Sequence, residues 1–165
     1  MDKTPFNISR LSLDPLGEIA LSRMPGSVTP IEEDIAEIVA LNCACVLTLV
    51  PQEELIRHGG HRLPTLLRNE GIEWHHFPIV DYSTPLPSQD QAWSALSERL
   101  QDHLKNNRMI LIHCYAGVGR SGMIALRLLV EKGVNPEDAL NQIRKVRPGA
   151  VERPAQYEWA TTNIK

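Results

Sequence analysis

The feature of this sequence that most constrains its fold is an apolar segment followed directly by a glycine-containing loop. The apolar segment is Met109–Ile112, and the next residues read His113-Cys114-Tyr115-Ala116-Gly117-Val118-Gly119-Arg120-Ser121-Gly122. A short apolar run of this kind is typical of a buried strand, and the glycines after it allow a tight turn. The pattern therefore predicts a strand, a loop and a helix that begins at about Ser121.

The rest of the chain alternates between strand-like and helix-like patterns. Cys43–Val50 and Ile72–Ile79 are predicted strands, whereas Thr29-Pro30-Ile31-Glu32 has the hydroxyl cap, proline and glutamate of a helix start. This alternation favours an α/β fold with a central, mostly parallel sheet flanked by helices on both faces. The 165 residues fit one domain. Residues 1–17 have few periodic apolar positions and are expected to run over its surface.

The loop carries the donors that a phosphate group requires. Backbone N–H groups from Tyr115-Ala116-Gly117-Val118-Gly119 and Arg120 can converge on one anion at the positive end of a helix. The planar guanidinium of Arg120 can hold two phosphate oxygens, so phosphate, sulfate or vanadate is the expected ligand. A thiol at a helix N-terminus beside an arginine ionises more easily than a free thiol. We therefore expect Cys114 to attack a phosphoryl group, with Ser121 donating a hydrogen bond to the sulfur and His113 orienting the loop.

Attack on a phosphate ester also requires a proton for the departing oxygen. Asp81 is the candidate acid, because it follows a predicted strand and lies in a proline-containing loop that can close over the ligand. Two other acids, Asp90 and Asp102, fall in a predicted helix. The sequence therefore predicts a site made of two loops, one with Cys114 and Arg120 and the other with Asp81.

Composition limits the classes of partner and the compartment. The formal net charge of −3 gives no reason to expect nucleic acid or an anionic membrane surface as a partner. The N-terminus lacks a basic segment followed by an apolar run, and no apolar segment reaches the roughly 18 residues of a membrane span. Neither a signal peptide nor a membrane span is predicted. Three cysteines cannot all pair within the chain, and a catalytic thiol needs reducing conditions, so a cytoplasmic location is expected.

The segment His113–Gly122 resembles the signature of the cysteine-dependent phosphatases, in which His-Cys is followed by five residues and then Arg-Ser or Arg-Thr. Phe77-Pro78-Ile79-Val80-Asp81 resembles the acid loop of their dual-specificity branch. From about Leu21 onward the chain is similar to the cyclin-dependent-kinase-associated phosphatases, as Leu63–Leu67 and Trp74–Asp81 illustrate.

Together with the chain length, this resemblance implies a single phosphatase catalytic domain over residues 1–165. It implies hydrolysis of phosphotyrosine in a phosphorylated protein, with or without phosphoserine and phosphothreonine, through a cysteinyl-phosphate intermediate. It also gives Gln156 a supporting role near the site.

Two alternative functions stay open at this point. One is a phosphatase for a lipid or carbohydrate phosphate, although Tyr115–Gly119 contains no lysine or arginine to meet a highly charged headgroup. The other is a phosphoprotein-binding module without turnover, whose expected mark is a missing cysteine, arginine or acid, and none is missing.

No metal and no cofactor are predicted. The pair Cys43 and Cys45 can be drawn as a zinc site together with His58, His61, His75 and His76, but it is interpreted as two core cysteines on opposite faces of a strand. A redox disulfide between either of them and Cys114 stays open. The basic residues Arg144, Lys145 and Arg147 are interpreted as a solvated helix end.

Overall fold

The computed structural model describes residues 6–164, which form a mixed five-stranded sheet covered by helices. The sheet order is β1-β2-β5-β3-β4. The strands are β1 (Ser9–Ser12), β2 (Glu18–Ser22), β3 (Cys43–Thr48), β4 (Glu73–His76) and β5 (Met109–His113). Only β1 is antiparallel to its neighbour, and the other strand pairs are parallel. The predicted α/β class with a mostly parallel sheet is confirmed.

Seven helices surround the sheet within the described residues. They are α1 (Ile31–Ala40), α2 (Gln52–Arg57), α3 (Leu63–Asn69), α4 (Asp90–Lys105), α5 (Gly119–Glu131), α6 (Pro136–Val146) and α7 (Pro154–Thr161), with one 3-10 turn at Pro87–Gln89 before α4. Between residues 6 and 164, no helix is both long enough and apolar enough to cross a membrane.

The two faces of the sheet bury two separate cores, because successive side chains of a strand point to opposite faces. In the central strand β5, Ile110 and Ile112 pack in one core with α4, α5, α6 and α7. Leu111 packs in the other core, which includes apolar residues of α1 and α3. All five residues of β5 are buried. The apolar run that predicted this strand is therefore explained by its central position.

A bulge separates the two cysteines of β3. Residues two apart in a regular strand share a face, but the register with β5 shifts between Cys43 and Cys45. As a result Cys45 lies in the core under α4 and α5, and Cys43 lies in the opposite core. The expected placement on opposite faces is met, and the bulge is its physical cause.

Two local predictions differ from the structure. Helix α1 begins at Ile31 and Thr29 does not cap it; instead the Thr29 hydroxyl donates to Asp34 at 2.5 Å. The N-terminal segment contains the edge strand β1, and Phe6 before it is 1% exposed. A strand of four residues with one buried side chain has too little apolar periodicity to be recognised from sequence.

Candidate active site

The loop after β5 places Cys114 at the carboxyl end of the central parallel strand, where α/β sheets bind ligands. Helix α5 begins at Gly119, two residues earlier than predicted, so Arg120 and Ser121 belong to its first turn. Gly117 has φ of +75°, and a Cβ there would lie 2.2 Å from the carbonyl oxygen of Ser22. The close turn therefore requires glycine at position 117.

Every carbonyl of the loop from Cys114 to Val118 is bound by a donor. The acceptor and donor pairs are Cys114 with the His113 ring, Tyr115 with Met24 N, Ala116 and Gly117 with the Arg147 guanidinium, and Val118 with Gly122 N and Val151 N. In a planar trans peptide, the N–H points away from the carbonyl of the same peptide group. The N–H groups of Tyr115, Ala116, Gly117, Val118 and Gly119 are therefore directed away from these donors. This arrangement leaves the five amides on the side of the loop opposite to those donors.

Arg147 fixes two of those peptide groups and was misinterpreted in the sequence analysis. It is 5% exposed rather than solvated. Its Nε donates to Gly117 O and its Nη2 to Ala116 O, each at 2.9 Å, while Nη1 donates to Asn7 O at 2.6 Å. Arg144 likewise donates to Ala150 O and Val151 O. A basic cluster at a helix end does not reveal which of its members turns inward.

Cys114 lies against the amides of its own loop. The sulfur accepts a hydrogen bond from Gly117 N at 3.2 Å, and the residue is 3% exposed. Within residues 6–164, no hydrogen bond is donated to the sulfur of Cys43 or Cys45, the other two free cysteines. Burial raises the pKa of Cys43 to about 12 and raises the pKa of Cys45 further. Both of these thiols therefore stay protonated at neutral pH, and Cys114 is the thiol placed for nucleophilic chemistry.

Arg120 is held in place by groups that the sequence analysis did not identify. The residue is 2% exposed; its Nη1 donates to Ile79 O at 2.9 Å and its Nη2 to Glu54 Oε2 at 2.8 Å. Burial would lower the pKa of Arg120, but the hydrogen bond to Glu54 and the nearby negative groups outweigh it and raise the pKa. Its Nε is buried and has no partner within residues 6–164. One donor of the guanidinium is therefore left for a ligand.

Glu54 lies on α2, four residues past the end of the predicted strand that becomes β3. That strand ends at the same sheet edge as the Cys114 loop, because β3 and β5 are parallel neighbours. The position after a parallel strand was the signal that could have identified Glu54.

Asp81 lies beside Arg120, as the two-loop prediction requires. Its Oδ1 is 3.4 Å from Arg120 Nη2, and its side chain is 51% exposed. Gln156 is fully buried at the base of the same loop, where its Oε1 accepts from the backbone of Glu152 and Arg153. Its Nε2 donates to Ser83 O at 3.4 Å. Gln156 therefore connects α7 to the Asp81 loop and supports that loop from behind.

Ser121 does not make the predicted hydrogen bond to Cys114. It is fully buried in the first turn of α5, and within the described residues its Oγ has no hydrogen-bond partner. Helix α5 begins two residues before Ser121, so this residue lies inside the first helical turn. Its hydroxyl stays a candidate donor to the sulfur or to a bound phosphoryl group.

His113 belongs to a chain of hydrogen bonds behind the loop. Its Nδ1 is 3.1 Å from Cys114 O, and because a carbonyl only accepts, Nδ1 carries the proton. Its Nε2 is 2.6 Å from Thr48 Oγ1, which also accepts from Trp74 Nε1 at 2.9 Å. The Thr48 hydroxyl therefore donates to Nε2. This chain fixes the neutral ring and orients the peptide that follows Cys114.

The buried His113 predicts a measurable pH dependence of stability. Burial lowers its pKa from 6.5 to about 4, so between these values the folded state binds fewer protons than the unfolded state. Stability should therefore fall as the pH decreases, by roughly 1.4 kcal/mol per pH unit in this window. Urea unfolding at about pH 7 and about pH 5 should show the wild type losing about 2 kcal/mol more than His113→Asn. An equal loss in the two proteins would contradict a neutral buried ring.

Comparisons with known proteins show which proteins this chain is similar to. The family model described as Cyclin-dependent kinase inhibitor 3 matches residues 2–140. The Cyclin-dependent kinase inhibitor 3 of Mus musculus is 33% identical over 168 residues, which span 96% of this chain and 78% of that protein. A crystal structure of kinase associated phosphatase, with its catalytic site cysteine substituted by serine, gives a TM-score of 0.84 at 30% identity and covers 96% of this chain and 94% of the other. A crystal structure of Tk-PTP in its active form gives a TM-score of 0.72 at 30% identity and covers 94% of this chain and 98% of the other.

Proposed function

The chain belongs to the Cyclin-dependent kinase inhibitor 3 family and is a cysteine-based protein phosphatase, and from this premise we propose that it hydrolyses phosphotyrosine through a phosphate ester of Cys114. The observation that carries the proposal is the orientation of the loop after β5. Its five carbonyls are engaged by donors, its amides are directed to the other side, and the Arg120 Nε is buried without a protein partner. A phosphoryl group satisfies such a set of convergent donors.

The first step is attack of the Cys114 thiolate on phosphorus. An S–P bond forms, the P–O bond to tyrosine breaks, and Asp81 gives its proton to the departing phenolic oxygen. The amides of Tyr115, Ala116, Gly117, Val118 and Gly119, with Arg120, stabilise the negative charge of the phosphoryl oxygens through the transition state.

The second step is hydrolysis of the cysteinyl phosphate. Water attacks phosphorus, Asp81 accepts a proton from that water, and the S–P bond breaks to return the Cys114 thiolate and release inorganic phosphate. The loop donors that bind the phosphoryl group also stabilise the departing thiolate. Gln156 supports the Asp81 loop through Ser83, and Ser121 is the candidate hydroxyl donor to the sulfur.

Exposed aromatic residues next to Cys114 and Asp81 favour an aromatic phosphate ester as the substrate. Tyr115 follows the nucleophile and is 42% exposed, and Tyr82 follows the acid and is 53% exposed. Tyr115 lies against His58 and Tyr82 lies against Arg153, which limits the mobility of both rings. Exposed aromatic rings beside the phosphate position can contact the ring of phosphotyrosine. The loop interior carries no lysine, which suits a single phosphate rather than a polyphosphate.

The proposal covers residues 1–165 as one catalytic domain that acts without a cofactor. Three free thiols, one of them the nucleophile, favour the reducing cytoplasm over an oxidising compartment.

Specificity is tested by comparing substrates under one condition. Phosphotyrosine, phosphoserine and phosphothreonine peptides of the same sequence are assayed beside inositol phosphates and a phosphoglycan. We expect the highest kcat/KM on the phosphotyrosine peptide. A higher kcat/KM on an inositol phosphate or on the glycan would reject the aromatic substrate and leave the cysteine chemistry intact.

Asp81→Asn should slow the enzyme in proportion to how poor the leaving group is. The variant cannot donate a proton, so we expect a loss of about 10²-fold in kcat/KM on a phosphotyrosine peptide and less than about 10-fold on an aryl phosphate with an acidic phenol. Asp90→Asn, an exposed acid at the start of α4, is the matched control and should retain full activity. The same loss on both substrates would show that another group is the acid.

A further inference from the structure

A second group of reactive side chains lies on the sheet face that α4 covers. It lies beside the amino-terminal half of β3, away from the end of β3 that leads to the active site. Cys45 on β3, Glu73 on β4 and His103 on α4 each offer one ligand atom, and these atoms lie within 4.8 Å of one another. Cys45 and Glu73 are direct partners in the parallel pairing of β3 with β4. None of the three takes part in the phosphatase chemistry described above.

The cluster is buried and contains nitrogens without partners. Cys45 is fully buried and His103 is 2% exposed. Within the described residues, His103 Nδ1 and the nearby His75 Nε2 are buried ring nitrogens with no hydrogen bond. His75 Nε2 is 3.5 Å from Glu73 Oε2, and His103 Nε2 contacts the same oxygen. Unsatisfied buried nitrogens cost free energy, and a bound cation would use such lone pairs.

The two oxygens of the Glu73 carboxylate have different partners. Arg99 Nε donates to Oε1 at 3.0 Å from the half-exposed surface. Oε2 is directed to the two histidines. One thiolate and one carboxylate would balance the charge of a dication, so that the loaded cluster is neutral in a buried position. Arg99 would then act as an outer partner that orients the carboxylate.

We propose that Cys45, Glu73 and His103 bind a zinc-class divalent cation. His75 lies outside this group of three, with its Nε2 at 3.5 Å from Glu73 Oε2, and its ring would shift toward the cation to become the fourth ligand. Thiolate, imidazole and carboxylate together are a ligand set of zinc proteins. On binding, the Cys45 thiol releases its proton to solvent as the sulfur–metal bond forms. The partly exposed side chains of Glu73 and His75 provide the route of entry.

A cation at this site would cross-link α4 to β3 and β4, the two strands that end beside the active site. β4 continues into the segment that carries Asp81, and β3 continues toward Glu54. The cation is thus structural. The site differs from a zinc site that uses both Cys43 and Cys45, because Cys43 lies in the opposite core.

Metal binding is tested on the full chain carrying Cys114→Ser, which removes the competing thiolate. After chelator treatment, we expect one equivalent of Zn²⁺ in a chelator-competition titration, and a sulfur-to-metal charge-transfer band in the near ultraviolet when Co²⁺ is added instead. Cys45→Ser should remove the band and weaken Zn²⁺ binding at least about 100-fold, whereas Cys43→Ser should change neither.

A second variant keeps the test independent of folding defects. Glu73→Gln retains the thiol and a side chain of the same shape, so it should keep the Co²⁺ band while binding Zn²⁺ at least about 10-fold more weakly. Zn²⁺ should also raise the thermal midpoint of the Cys114→Ser parent but not that of Cys45→Ser. Absence of a bound equivalent in the parent, or equal binding by the parent and Cys45→Ser, would overturn the proposal.

Discussion

Replacing Cys114 by serine should abolish turnover while binding of a phosphotyrosine peptide persists. A serine hydroxyl is not ionised at neutral pH, so the nucleophile is lost, whereas the loop amides and Arg120 still hold the phosphoryl group. We expect kcat to fall at least about 10⁴-fold. The dissociation constant of the peptide, measured by calorimetry on the inactive variant, should stay close to the KM of the wild type.

Cys43→Ser is the control for this prediction, because Cys43 is a buried thiol in the opposite core and should affect stability alone. Appreciable hydrolysis by Cys114→Ser, at more than about one thousandth of the wild-type rate, would show that the sulfur is not the nucleophile.

Replacing Arg120 by lysine should cause the second largest loss, about 10³-fold in kcat/KM. The guanidinium is positioned by Glu54, Ile79 O and Asp81. Only a planar group with several N–H donors can contact all three and a phosphoryl group at once. A lysine ammonium keeps the charge but cannot fill this arrangement. Steady-state kinetics on a phosphotyrosine peptide, together with peptide binding, measures both losses.

Glu54→Gln separates the positioning of Arg120 from its charge. The amide keeps the shape of the side chain and one acceptor oxygen, so the arginine remains but is less firmly oriented. We expect an intermediate loss of about 10-fold. If Arg120→Lys were as active as Glu54→Gln, the requirement for a guanidinium at position 120 would be wrong.

The placement of the loop residues could be predicted because they are contiguous in the sequence. A strand, a glycine-containing turn and the start of a helix hold Cys114 and Arg120 in one short loop segment. The segment with Asp81 follows a parallel strand, so it lies at the same carboxyl edge of the sheet. The class of fold followed from the alternation of apolar strands and amphipathic helices for the same reason, since both signals are local.

The supports of the loop could not be predicted, because they come from distant parts of the chain. Glu54 is 66 residues from Arg120, Thr48 is 65 residues from His113, and Arg147 is 30 residues from Gly117. Nothing in the local sequence distinguishes an inward arginine from a solvated one. The early start of α5 and the edge strand β1 were missed because boundaries and short strands carry little periodicity.

The most direct test of the mechanism is a single-turnover experiment with excess enzyme and a radiolabelled phosphotyrosine peptide. Rapid quenching and mass spectrometry of the digested protein should recover one phosphoryl group on the peptide that contains Cys114, formed before inorganic phosphate is released. Inorganic phosphate released with no labelled enzyme at any time, or a label on Cys114→Ser equal to that on the wild type, would contradict a phosphoryl intermediate on Cys114.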